Sequence, residues 1–435
     1  MAVDVYFASA EIVKLVKDGC DDAKFDGDCT HKIIYSAVYF PVNAICLFVA
    51  SVFIWILFWN MKIEYGDFIE KLLVQSRDIE ELVQQARNGS NKEKRIAAFE
   101  LATLAATSDD NKFKIVANDG LDILTQLALS RDESTREQAV EAINEMIMIP
   151  SIQESFIEKG GITTMSALLR TNNSRLVANA SSAIQIIVSE TDENKVAFAD
   201  RQGLQDLAYA AKRATISTQR LIAAIFLELS IHRVVRNKMT TTNQLFEALE
   251  ELAQSNDPQI QRNALQTLEI LAMENSDRIC EREQLLFMLL DIPSLTVDEI
   301  VYQLTSRILL YYAQNPLTCE SMLNHPRFKE TMTVFAKTKE VGLQRSTIRI
   351  INFTFELPHL KEKAQSIRIE DTLNVLKKHF AEREIWDLAD ESLRYLNEET
   401  TLSRIPNMTS KEKIARMDFN EFGSKASLRS GPSSS

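Results

Sequence analysis

The chain is predicted to fold as an all-α solenoid, and three observations predict it. First, a small residue followed four positions later by an apolar one recurs in eight blocks. They begin at Ala98, Ala139, Ala180, Ala223, Ala264, Thr305, Thr347 and Ala389, at intervals of 41, 41, 43, 41, 41, 42 and 42 residues. A fixed period of this size marks stacked helical units, each unable to bury its apolar face alone. Second, apolar residues within a block fall at helical spacing, as with Leu245, Leu249 and Leu252 and then Leu265, Leu268, Leu271 and Ala272. Third, glycine is scarce: only six of the 11 glycines lie within 78–398, as helix interiors require. A stack of this kind encloses no pocket and offers an extended surface to partners.

Residues 1–32 form a short N-terminal segment that is net acidic. Its Cys20 and Cys29 either pair, if they face an oxidising space, or remain two free thiols. Residues 33–59 then carry no charged side chain over 27 positions. As a helix this run would be roughly 40 Å long at 1.5 Å per residue, enough to cross a bilayer with tilt. Tyr35, Tyr39 and Phe40 at one end, and Trp55, Phe58 and Trp59 at the other, suit the two headgroup boundaries. Pro41 and Asn43 kink the entry, so the dependable core is Ala44 to Trp59. One transmembrane helix in contact with the lipid bilayer is therefore expected, followed by a juxtamembrane linker over 60–77. The flanking lysines are nearly balanced. The short acidic leader and the absence of a cysteine framework after it favour a cytosolic C-terminal region.

Residues 78–398 hold the repeats. Ser255-Asn256-Asp257-Pro258 reads as a helix stop followed by a new start. The turns Asn118-Asp119-Gly120, Lys159-Gly160-Gly161 and Arg201-Gln202-Gly203 read as helix ends closed by a left-handed glycine. Residues 399–435 are rich in serine, lysine and arginine and read as a disordered tail.

Two runs carry a specific likeness. Asp110-Asn111-Lys112 leading to Asn118-Asp119-Gly120-Leu121 resembles the armadillo-repeat consensus, and so does Glu193-Asn194-Lys195 leading to Arg201-Gln202-Gly203-Leu204, 83 residues later. The resemblance covers about 78–398 and is clearest in the first five blocks. It implies a right-handed α-solenoid of about eight armadillo-like (ARM/HEAT-like) repeats, each of three helices, with the third helices lining a concave face. The overall plan also resembles animal armadillo-repeat proteins tethered to the mitochondrial outer membrane by an N-terminal helix, while the long aromatic-rich helix suits endoplasmic reticulum and secretory-pathway membranes as well.

Armadillo proteins that hold extended peptides place asparagines, and in importin-α also tryptophans, in fixed columns of that face. Aligned on the small residues, the asparagine column here reads Leu104, Glu145, Ile186, Leu229, Ile270, Tyr311, Phe353 and Tyr395. The tryptophan column reads Glu100, Glu141, Ser182, Ile225, Gln266, Arg307, Arg349 and Glu391. Neither array is present. The candidate groove residues are Glu100, Glu141, Glu145 and Gln266 early, with Arg307, Tyr311, Arg349, Phe353, Arg394 and Tyr395 late. Arginine and large aromatics are common anchors of protein interfaces.

No catalytic, cofactor or metal site is read from the chain. It has no phosphate loop, no dinucleotide fingerprint, no nucleophile elbow and no paired Cys-x-x-Cys or His-x-x-x-His. The net charge of −12 argues against a nucleic-acid partner, and no small-molecule substrate is expected. The function expected is a non-catalytic, membrane-anchored scaffold that binds protein partners through its groove. The alternative is a regulatory subunit of a membrane enzyme or transporter complex, assembled through Asn43, Ala44, Ala50 and Ser51 of the anchor.

Overall fold

The computed structural model describes residues 78–200, 202–355, 358–378 and 382–397. The expected anchor at 33–59, the segments 1–32 and 60–77 and the tail at 399–435 lie outside the described residues. Among the described residues every regular element is helical, and no helix is long and apolar enough to cross a membrane.

The chain divides into two units, Met1–Lys159 and Gly160–Ser435. The first contains α1 (Ile79–Asn88), α2 (Asn91–Thr107), α3 (Asp109–Ala117), α4 (Gly120–Leu127), α5 (Glu133–Met146) and α6 (Pro150–Glu158). The second opens with α7 (Gly161–Leu168) and α8 (Ser174–Glu190). Five helical triplets follow: α9 (Asp192–Asp200), α10 (Gly203–Ala211) and α11 (Ile216–Ile231); α12 (Arg233–Thr241), α13 (Asn243–Ala253) and α14 (Pro258–Glu274); α15 (Ser276–Cys280), α16 (Glu283–Asp291) and α17 (Glu299–Ala313); α18 (Pro316–Asn324), α19 (Phe328–Ala336) and α20 (Val341–Phe353); α21 (Pro358–Ser366), α22 (Glu370–Lys378) and α23 (Arg383–Asn397).

The long third helices are α2, α5, α8, α11, α14, α17, α20 and α23. In the first unit α2 packs on α5; in the second, α8, α11, α14, α17, α20 and α23 pack each on the next. All eight small residues that open the sequence blocks are fully buried. A larger side chain there would hold neighbouring helices apart, which fixes the period. Leu265, Leu268, Leu271 and Ala272 of α14 are also fully buried. Each large aliphatic among them contributes about 1.5–3 kcal/mol by leaving water.

A polar side chain caps the start of seven third helices and sets their register. Ser90, Asp132, Asn173, Thr215, Asp257, Asp298 and Glu340 each accept a backbone N–H from the first turn, satisfying donors the helix itself leaves unpaired. Ser90 and Glu93 form a reciprocal capping box. The cap residues step by 42, 41, 42, 42, 41 and 42 positions, more evenly than the small residues do. Ala98 and Ala223 each lie eight residues past their caps, where the other capped helices have seven. The sequence alignment therefore runs one residue late in α2 and in α11.

The turn glycines also act differently from the expectation. At these three turns the left-handed residues are Asp119 (φ 62°), Gly160 (φ 88°) and Gln202 (φ 63°). Gly120 and Gly203 are instead the first residues of α4 and α10, and they are needed for close approach. A Cβ on Gly120 would come within 2.5 Å of Ile115 Cγ2, and one on Gly203 within 2.5 Å of the Phe198 carbonyl oxygen. Of the three glycine turns only Gly160 takes the left-handed role.

The two armadillo-like runs gain a physical meaning. Asn111 Nδ2 donates to the Leu104 carbonyl at 3.2 Å, and Asn194 Nδ2 to the Ile187 carbonyl at 3.0 Å. In each case the short helix caps the C-terminus of the third helix before it. Gln219 and Gln261 do the same from the third helices, donating to the Ala211 and Ala253 carbonyls, both at 2.9 Å.

Candidate partner-binding face

Counted from the cap, positions nine and thirteen of every third helix are accessible to solvent. Position nine holds Phe99, Glu141, Ser182, Ala224, Gln266, Arg307, Arg349 and Glu391; position thirteen holds Thr103, Glu145, Ile186, Glu228, Ile270, Tyr311, Phe353 and Tyr395. For α23 the count starts at Glu382, whose carbonyl accepts the Trp386 amide. Four residues assigned to these columns from the sequence lie instead in the packed side of their helices. Glu100 is 7 % exposed, and Leu104, Ile225 and Leu229 are buried. The one-residue slip in α2 and α11 is the reason, because one residue turns a helix by about 100°. Phe99, 40 % exposed, takes the place given to Glu100. Counting from Ser90 and Thr215, rather than from the small residues, would have found it.

In the first unit the face of α5 is acidic and polar, with Glu141 exposed and Glu145 half-buried. The face of α2 is mixed, with Arg95, Ile96 and Phe99 exposed. In the second unit Gln266, Arg394 and Tyr395 are exposed, and Arg307, Tyr311, Arg349 and Phe353 are half-buried. The last four come from neighbouring helices, α17 and α20.

Charge in the second unit is arranged as a ladder between third helices. Arg220 of α11 meets Asp257 at the cap of α14 at 2.6 Å, Arg262 of α14 meets Asp298 at the cap of α17 at 2.6 Å, and Arg345 of α20 meets Glu384 of α23 at 3.0 Å. Arg307 is bound at 3.0 Å to Glu269 of α14, and Arg394 at 2.6 Å to Asp390. The Arg220 guanidinium holds the Asp257 carboxyl below the usual carboxylate range, helped by the Ile260 and Gln259 amides. Lys195 of α9 reaches Glu228 at 2.9 Å and Asp192 at 3.1 Å. Burial works against its charge, but these two hydrogen-bonded carboxylates outweigh burial and raise its pKa. Lys361 lies 5.0 Å from the centre of the Tyr395 ring, a cation–π contact. Arg307 and Arg394 are thus paired with the protein's own carboxylates.

The titratable groups away from this face do structural work. Burial pushes the Cys280 thiol up to about 11, so it stays protonated at neutral pH. Burial also raises Glu250. The buried Tyr312 hydroxyl donates to the Ile279 and Arg282 carbonyls at 2.7 and 3.0 Å, tying α17 to α15 and the turn after it. Cys280 and Cys319 are both buried thiols outside any disulfide. Among the described residues no group of three His, Cys, Asp or Glu side chains is placed to hold a metal ion. A hollow of about 50 Å³ lined by Leu169, Val177, Tyr209 and Arg213 has room for a few waters.

No family model and no curated protein sequence matches the chain. Solved structures do. An engineered protein is similar at 18% identity and a TM-score of 0.52, over 74% of this chain and 79% of that one. A β-catenin structure, described for a phosphorylation switch that controls the interaction between cadherin and β-catenin, is similar at 14% identity and a TM-score of 0.54. That match covers 73% of this chain and 60% of that chain. A computationally designed armadillo repeat protein for modular peptide recognition matches at 19% identity, over 54% of this chain and all of that one, with a TM-score of 0.46. The fold is an armadillo-like α-solenoid.

Proposed function

We propose that the protein is a non-catalytic scaffold, held at a bilayer by residues 33–59, whose third-helix face binds protein partners. The single observation that carries the binding part is the outward-facing column of the second unit's third helices, with half-buried Arg307, Tyr311, Arg349 and Phe353 set side by side on α17 and α20. Arginine and aromatic side chains in this half-buried state lose little further freedom on binding and bury large area, the usual character of an interface anchor. The fold supports the reading: β-catenin, which shares it, engages a protein partner, cadherin. The uncharged 27-residue run with aromatic ends supports the anchor. An anchored face raises the local concentration of whatever it selects without any covalent step.

The test uses the tagged full chain in its native membranes. Arg307→Glu combined with Phe353→Ala should reduce recovery of the cross-linked partner at least tenfold and leave the chain in the carbonate-resistant membrane fraction. Recovery unaffected by both changes would remove the face from the function. Release of the unaltered chain by carbonate would remove the anchor.

A further inference from the structure

Beside Arg307, Tyr311 and Arg349, and including Phe353, the second unit carries an apolar band at the C-terminal halves of successive third helices. Leu227 and Ile231 lie on α11, Ile270 and Met273 on α14, Leu310 on α17 and Phe353 on α20. Ile231 is 58 % exposed and Met273 56 %, and the other four are half-buried. Apolar residues that recur on every neighbouring helix differ from the scattered exposed leucine of an ordinary surface. The charges beside the band are already satisfied. Glu228 is bound to Lys195, Glu269 to Arg307, and Glu274 to Arg236 at 2.7 Å. A charged ligand would have to displace these pairs and would gain little.

The backbone of the ligand must also be accounted for. An extended peptide brings an unpaired N–H and C=O at every residue, and each needs a partner when it leaves water. Regular side-chain amides are the means of supplying them, and the positions that would hold them are Ile186, Glu228, Ile270, Tyr311, Phe353 and Tyr395. A helix satisfies its own backbone and asks only for an apolar groove.

We infer that the occupant of this band is the apolar face of an amphipathic helix from a separate protein, laid across α11, α14, α17 and α20. The inference rests on the protein-binding reading above and names the partner's chemistry. Packed helices sit about 10 Å apart, so one step along the band corresponds to about six to seven residues of a helical ligand but about three of an extended one.

That difference is measurable. A diazirine-bearing aliphatic side chain is placed singly at Ile231, Met273 or Leu310 in the full chain, in native membranes. The attachment sites on the captured partner are then sequenced. The expected result is one partner segment, with attachment sites advancing six or seven residues per helix, and no capture of that segment from Leu317 on α18. Met273→Asp should lower its recovery at least tenfold, while Met273→Leu should retain it with an unchanged melting profile. Sites advancing by about three residues would overturn the helical ligand and leave the scaffold reading standing, as would attachment to residues 33–59 or 399–435 of this chain itself. Absence of any attachment, with partner recovery still sensitive to Arg307→Glu, would overturn the band alone. Insensitivity to every face substitution would overturn the scaffold reading as well.

Discussion

The third-helix faces of the two units share one register and carry different chemistry. Five residues past the cap, the first unit has Arg95 on α2 and Glu137 on α5. The second has Ala178, Arg220, Arg262, Gln303, Arg345 and Asp387 at the same position. Arg220 and Arg262 bond to the aspartate that caps the next third helix. In the first unit the cap of α5, Asp132, is held mainly by the Thr135 hydroxyl and amide, with Arg95 acting only through its field. Where position five is Ala178, the following cap is the uncharged Thr215. The repeat backbone is thus the same device throughout, and the arginine ladder is an addition to the second unit that couples one third helix to the next. Decoration, and not architecture, separates the two faces.

Four measurements test that contrast, in order of decreasing size. Glu274→Ala removes the partner of Arg236, whose side chain is only 9 % exposed. The guanidinium, left with only the Ser230 carbonyl at 3.1 Å, should cost about 2–3 kcal/mol, below the full range for a buried pair because Glu274 is one-third exposed. Denaturant melts followed by hydrogen exchange should show the loss in α12–α14 and not in α2–α5.

Gly120→Ala and Gly203→Ala test whether the two units use their turn glycines alike. The first would force a Cβ to within 2.8 Å of the Ile115 carbonyl oxygen and the second to within 2.5 Å of the Phe198 carbonyl oxygen, and each should destabilise by about 2 kcal/mol through overpacking. A neutral result at either position would show that its turn relaxes freely.

Acid sensitivity separates the caps. Asp257 is depressed chiefly by Arg220, and Asp132 chiefly by Thr135. A folded pKa below the unfolded value contributes stability that is present above the unfolded pKa, near 3.9, and is lost as pH falls through the folded one. Asp257→Asn and Asp132→Asn should therefore each flatten the decline in stability below about pH 4. Added salt should shrink the Asp257 effect more, since only that cap depends mainly on a partner charge. Equal salt dependence would dissolve the distinction between the units.

The smallest effect concerns backbone strain. Gln202 is held at φ 63° and Asp119 at φ 62°, a region that costs a non-glycine residue roughly 1–2 kcal/mol. Gln202→Gly and Asp119→Gly should raise stability by about 0.5 kcal/mol, the relief being offset in part by the extra freedom of glycine in the unfolded chain. A loss at Asp119 alone would point to its contact with Arg87, 3.5 Å away.

The repeat, its period and its helical character were legible in the residues, because a small side chain at every helix crossing is a local requirement that recurs. All eight of those residues are buried. Late members of the groove list, Arg307 to Tyr395, also fell on accessible positions, since α14, α17, α20 and α23 keep the same distance between cap and small residue. Glu100 did not. Ala97, next to Ala98, is as small and as fully buried, so the pattern admits two registers one residue apart. Only the cap hydrogen bond from Ser90 decides between them.

Sequence alone determined that these helices stack and where several of them turn, since period and turn residues are properties of neighbours along the chain. It also determined that the face lacks a column of amides. Which side of each helix meets water, which arginines are neutralised, and that Leu227, Ile231, Ile270, Met273, Leu310 and Phe353 line up in one band were decided by tertiary structure. Those properties depend on partners about 40 residues apart, as Arg220 and Asp257 or Arg307 and Glu269 are. Their contact follows from the packing of one third helix on the next, and no local pattern encodes it.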